Sequence, residues 1–140
     1  MKSLFVILAF VTLFPIVVIS ANYDIYYSKK GVTNIERFDY ALNKLNSGFK
    51  NAGLNSYKTN SKLSKHSIFV GLASSIHNPS LEINTSKVDQ LIQSESFLLF
   101  RANSNQPLYV LAKDESGLLY AINKLIAEKL YLETIVDVFE

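Results

Sequence analysis

Few residues in this chain have the chemistry to act on a substrate, and first among them are the adjacent carboxylates Asp114 and Glu115. Two carboxyl groups can share acid and nucleophile or base duty when they flank the scissile bond, about 5–5.5 Å or 6.5–9.5 Å apart. Nothing in the sequence marks a second carboxylate held opposite this pair across a cleft. Asp114 reads instead as a turn residue that accepts backbone hydrogen bonds and favours the positive end of the helix after it. His66 and His77 stand eleven positions apart, without the close spacing and supporting carboxylates of metal ligands. They read as loop histidines, and no cofactor or metal is implied. Serines are plentiful, but no Gly-x-Ser-x-Gly elbow occurs, and no Gly-x-Gly-x-x-Gly or phosphate loop supports a nucleotide site. Lys58, Lys62 and Lys65 read as a solvated loop.

Tyr23, Tyr26 and Tyr27 form an aromatic cluster. A sugar-stacking platform is one reading; strand residues packing alternately on two faces is the simpler one. Tyr120 and Tyr131 belong first to helix packing. Asn84-Thr85-Ser86 is a glycosylation sequon, and Asn84 falls in an expected loop.

The 140 residues allow one domain with a modest core. Net charge is +2 and spread along the chain, so nucleic acid is not implied as a partner. Trp and Cys are both absent. The first absence removes the usual sugar-stacking side chain; the second removes disulfides, thiol catalysis, Cys-based metal sites and a lipid-modified N-terminal Cys.

Positioning elements follow from periodicity. Met1-Lys2 precedes the apolar run Leu4 to Ile19, 16 residues or about 24 Å as helix, short of a hydrocarbon core of about 30 Å. Ser20 and Ala21 supply small residues for cleavage. Residues 1–21 are read as a signal peptide, which makes the protein secreted or periplasmic, with a membrane as partner only if the signal is uncleaved. The mature domain spans 22–140. Asp24 to Ser28 reads as a strand. Thr33 and Glu36 have capping-box spacing, and Ile35, Phe38, Ala41, Leu42, Leu45 and Phe49 continue a helix that Gly53 closes. Asn55 to Lys65 is expected to be loop with a short strand around Tyr57, Ser67 to Ala73 a strand, and Ser86 to Ile92 a short capped helix. Phe97 to Ala102 should form a hairpin with Leu108 to Ala112. After the polar break at 113–116, Gly117 opens a helix with apolar positions Leu118, Leu119, Ile122, Leu125, Ile126 and Leu130. Gly117 is expected to let this helix lie close to the strand it has just left. The fold class is α/β: a small mixed β-sheet with two main helices packed on it, preceded by a signal-peptide helix.

A strand ending in Asp114, followed by Gly117, Leu119, Tyr120 and Ala121 at a helix start, resembles the N-terminal accessory domain of large glycoside hydrolases. The α-glucuronidases and β-N-acetylhexosaminidases carry such a domain before their catalytic barrel. Ile68-Phe69-Val70-Gly71 resembles that family's strand ending in Gly, and Glu95 to Leu99 its next strand. The resemblance covers roughly Asp24 to Asp137. It implies structural roles for Gly71, Asp114, Gly117, Tyr120 and Ala121 and no catalytic residue, since the Asp-Glu pair of the hexosaminidases lies in the barrel. The implied function is a secreted non-catalytic accessory domain, truncated or split from its barrel, with no activity alone. A free-standing glycan- or protein-binding module is the alternative.

The resemblance also bears on partners. In such enzymes the chain passes from the last helix into the barrel. Leu130-Tyr131-Leu132 and Ile135 to Phe139 are apolar, so an exposed patch there is expected to bind a glycosidase barrel or to self-associate. Alternatively, Glu133 to Phe139 folds back as an edge strand.

Overall fold

The computed structural model describes residues 22–58, 67–76, 85–101 and 105–128. The expected signal peptide, both histidines, Lys62, Lys65, Asn84 and the apolar C-terminal segment lie outside the described residues.

The elements are β1 (Asn22–Tyr27), α1 (Ile35–Asn51), β2 (Asn55–Lys58), β3 (Ser67–Leu72), a short 3-10 turn (Ala73–Ser75), α2 (Thr85–Val88), β4 (Phe97–Phe100), β5 (Leu108–Ala112) and α3 (Glu115–Glu128). The five strands form one sheet in the order β2-β1-β3-β5-β4. Every neighbouring pair is parallel except β4 and β5, which form the antiparallel hairpin. The α/β class and mixed sheet are those the sequence indicates.

Side-chain alternation divides the core. Tyr23, Ile25, Ile68, Val70, Leu72, Leu108, Val110 and Ala112 meet α1 and α3 on one face. Phe69, Tyr109, Leu111 and Phe100 face the other way, against Ile76, Val88 and Leu91. Strands β3 and β5 are therefore buried along their whole length, which is why they read as unbroken apolar runs. Tyr26, Phe69, Tyr109 and Phe100 are register partners across four strands. Their rings follow one another at centroid separations of 5.6, 5.9 and 5.1 Å, within the favourable range for aromatic pairs.

Helix α1 starts one residue later than its capping-box spacing suggests. Asn34, not Thr33, is the N-cap, its side chain accepting from the Arg37 N–H at 2.9 Å. Thr33 is drawn away by a carboxylate from α3. At the other end Leu54 N–H donates to Phe49 C=O at 2.9 Å and Gly53 N–H to Lys50 C=O at 3.1 Å. With Gly53 at φ +72°, this is a Schellman closure, as the glycine suggests.

Helix α3 begins at Glu115 rather than at Gly117 or Leu118. The reason is Asp114, whose Oδ1 accepts from Gly117 N–H at 2.9 Å and satisfies a donor of the first turn. Gly117 does approach backbone closely, but of a different segment than expected. A Cβ there would lie 2.7 Å from Ser96 O and 2.9 Å from Glu95 C and O, in the turn entering β4 rather than in β5. Glu95 and Ser96 themselves stand outside β4, with Glu95 at φ +65°.

Candidate functional site

The acidic pair sits where β5 meets α3. Asp114 Oδ2 accepts from the Ser94 hydroxyl at 2.8 Å and from Glu95 N–H at 2.9 Å, while Oδ1 takes Gly117 N–H. Glu115 Oε1 accepts from Thr33 N–H at 2.6 Å, Asn34 N–H at 2.9 Å and the Thr33 hydroxyl at 3.2 Å. One residue thus ties the start of α3 to the turn before β4; its neighbour ties α3 to the start of α1. Arg37 Nη1 donates to Ser116 Oγ at 2.7 Å, a further link between the two helix starts.

These contacts set the charge state. Burial works to raise both carboxyl groups, but the backbone N–H donors, led by Gly117 and Glu95 for Asp114 and by Asn34 for Glu115, outweigh it and hold both below their ordinary values. A general acid for glycoside cleavage needs the opposite, a carboxyl raised toward neutrality. Asp114 and Glu115 stay ionised, with their oxygens aimed at protein donors, and their chemistry is that of helix and turn caps.

The remaining candidates are dispersed. Gly71 lies on the aromatic face, where a Cβ would stand 2.7 Å from Ser75 Oγ and 3.1 Å from the Phe69 ring. Ala121 is fully buried, whereas Tyr120 is 49 % exposed. The N-terminal tyrosines divide between faces: Tyr23 lies 5.2 Å from Phe49, Tyr27 6.4 Å from Phe38, and Tyr26 joins the ring row. Among the described residues no His, Cys, Asp and Glu group is arranged to hold a metal. No described helix is long and apolar enough to cross a membrane. An open cleft of about 260 Å³ between the end of α1 and β2 is lined by Asn46, Lys50, Leu54, Asn55 and Ser56. It contains no carboxylate.

Sequence reasoning gave no sign of Thr33, Asn34 and Ser94 as partners of the acidic pair. Long-range hydrogen bonds of this kind leave no local pattern; only the excess of cap-forming residue types at 33–34 and 94–96 hints at them.

Sheet order, two helices on one face and a terminal antiparallel hairpin define a mixed α/β domain. A segment of a GH138 enzyme targeting pectin rhamnogalacturonan II shares the fold, with a TM-score of 0.55 and 18% sequence identity over 84% of this chain. The chain spans 14% of that protein. No protein-family model matches the sequence, and no curated protein matches it. The fold is thus one that a glycoside hydrolase contains.

Proposed function

We propose that this chain supplies a non-catalytic accessory domain of the glycoside hydrolase type, exported and working beside a catalytic domain in polysaccharide breakdown. The observation that carries the reading is the fold shared with one segment of a much larger glycoside hydrolase. The Asp114–Glu115 geometry supports it, because the most suggestive carboxylates are spent on backbone donors. The apolar run from Leu4 to Ile19 supports export. The partner this reading requires is a glycosidase catalytic domain, in the same or a separate polypeptide.

The test is to identify the glycosidase catalytic domain encoded with or beside this chain and co-express the two. A stoichiometric complex, with no turnover of aryl glycosides by the accessory chain alone, is the expected result. Turnover by the chain alone that is lost in Glu115→Gln would overturn the reading.

A second reading is favoured by one observation: Tyr40 and Tyr120 are 58 % and 49 % exposed on α1 and α3. Solvent-facing aromatic rings suit a free-standing glycan- or protein-binding module. Affinity electrophoresis in gels containing polysaccharide, with a Tyr40→Ala, Tyr120→Ala variant, separates the two: ring-dependent retardation favours the module.

A further inference from the structure

The two edges of the sheet are built differently. Edge strand β2 reads Asn-Ser-Tyr-Lys, polar and ending in Lys58, the kind of composition that discourages pairing with another chain. Edge strand β4 reads Phe-Leu-Leu-Phe, without a charge, a proline or a bulge. Phe97 and Leu98 at its start are only half-buried. Among the described residues β4 pairs with β5 alone.

The chain's own apolar stretch Ile135 to Phe139 is a poor occupant of that edge. Helices α1 and α3 cover the same face. The connection from β1 over α1 leads to β2 at one edge of the sheet. A connection from β5 over α3 to a new strand beyond β4 would move toward the opposite edge across the same face, so the two crossovers would have opposite hands. Right-handed crossovers are nearly universal, so a connection opposite in hand to the one over α1 is disfavoured.

A second copy of this chain fits. Antiparallel pairing about a two-fold axis at Leu98 sets Leu98 opposite Leu98 of the second copy and Phe97 opposite its Leu99. That register keeps like faces together, since Phe97 and Leu99 both pack toward the helices while Leu98 packs toward the aromatic side. Helix α3 rests over both β4 and β5. With strands about 4.8 Å apart, the two α3 helices of such a pair would lie roughly 10 Å apart, the spacing of directly packed helices. Gly117, Tyr120 and Lys124 follow at three- and four-residue steps and share a side of α3. Gly117 lies against Glu95 and Ser96, so that side looks over the β4 edge, and the exposed Tyr120 ring would be covered there. We infer that the protein forms a two-fold dimer by joining β4 edges into one continuous sheet, with the α3 helices side by side.

The absence of cysteine makes the test clean. In the full chain, Leu98→Cys places two thiols opposite each other, within reach of a disulfide. Mild oxidation should convert this variant to a covalent dimer, while Asn43→Cys, on the exposed side of α1, stays uncrosslinked. Sedimentation should show a dimeric wild type at high micromolar concentration and a monomeric Leu98→Lys with unchanged circular dichroism. If Leu98→Lys fails to fold, the cysteine pair decides. A monomeric wild type overturns the inference, as does a dimer that survives Leu98→Lys or fails to cross-link through Leu98→Cys.

Discussion

The carboxylate of Glu115 accepts a hydrogen bond from the backbone N–H of Asn34, 2.9 Å away and 81 positions earlier in the chain. Asn34 in turn caps α1 through its own side chain. The first turn of one helix therefore fixes the first turn of the other, and the two helices that cover the sheet are locked together at their N-termini. Asp114, next in line, performs the same office for the turn that leads into β4.

Removing Glu115 should loosen that lock. In Glu115→Ala the N–H groups of Thr33 and Asn34 lose their acceptor in a part-buried site. Leaving such donors unsatisfied costs about 1–3 kcal/mol. Glu115→Gln keeps an acceptor oxygen and should lose less. Urea unfolding of the three proteins reads this directly; an Ala variant as stable as wild type would show that water replaces the carboxylate at no cost.

The same contacts give stability a pH dependence with a definite sign. Both carboxyl groups sit below ordinary values of 3.8 for Asp114 and 4.5 for Glu115. A depressed folded-state value means that the unfolded chain takes up protons first as the pH falls. The stabilisation is complete above the ordinary values and disappears as the pH drops through them and on through the lower folded values. Unfolding midpoints should be flat from pH 7 to about 5 and fall below that. An Asp114→Asn, Glu115→Gln variant should show a shallower fall, and an identical pH profile would count against these two groups as its source.

How much of this was legible in the sequence depends on the range of the interaction concerned. Strand β5 is bounded in the sequence as in the structure, because a five-residue apolar run between Pro107 and Lys113 has no local competitor. Gly53 announces the end of α1 because helix closure is decided within a few residues. The start of α1 shifted to Asn34 because Thr33 answers to Glu115, a partner that no window of sequence contains. Gly117 was legible as a point of close approach, but its neighbour was not, since the turn at Glu95 and Ser96 meets α3 only after β4 and β5 have paired. Tyr120 falls beside the buried stripe rather than on it, a distinction of a fraction of a helical turn, and it is exposed. The carboxylate pair draws attention by its residue types alone, while its donors at Thr33, Asn34 and Glu95 lie in distant segments that no local pattern connects to it.

The ring row on the second face should be a main support of that face. Tyr109 is 3% exposed and its ring touches two others, those of Phe69 and Phe100. Tyr26 is half-buried at the row's end and meets one. Truncating a large buried ring costs about 3–5 kcal/mol, so Tyr109→Ala should approach that loss and Tyr26→Ala fall well short of it. Equal losses in denaturant unfolding would mean that burial behind α2, rather than ring contact along the row, sets the cost.

Two glycines should fail for different reasons, and the comparison tests which constraint is stronger here. Gly53 has open space where a Cβ would go, but a φ of +72°. Gly53→Ala therefore meets only the conformational penalty of the left-handed region, about 1–2 kcal/mol, partly offset by a less flexible unfolded chain. Gly117 has an ordinary φ, but its Cβ would fall 2.7 Å from Ser96 O and 2.9 Å from Glu95 O. Those atoms are backbone, held in place by Asp114 and by the bond from Lys113 N–H to Ser96 O at 3.0 Å, so no side chain can swing aside. Gly117→Val adds two methyl groups to this contact and should cost about 1–3 kcal/mol, the usual range for overpacking. In a domain whose whole stability is about 5–15 kcal/mol, such a loss lowers the thermal midpoint measurably. Gly117→Ala should already be destabilising, and Gly117→Val more so than Gly53→Ala. A Gly117→Val protein that melts with the wild type would show that α3 can slide off the β4 turn freely, and that the close approach of these two segments constrains nothing.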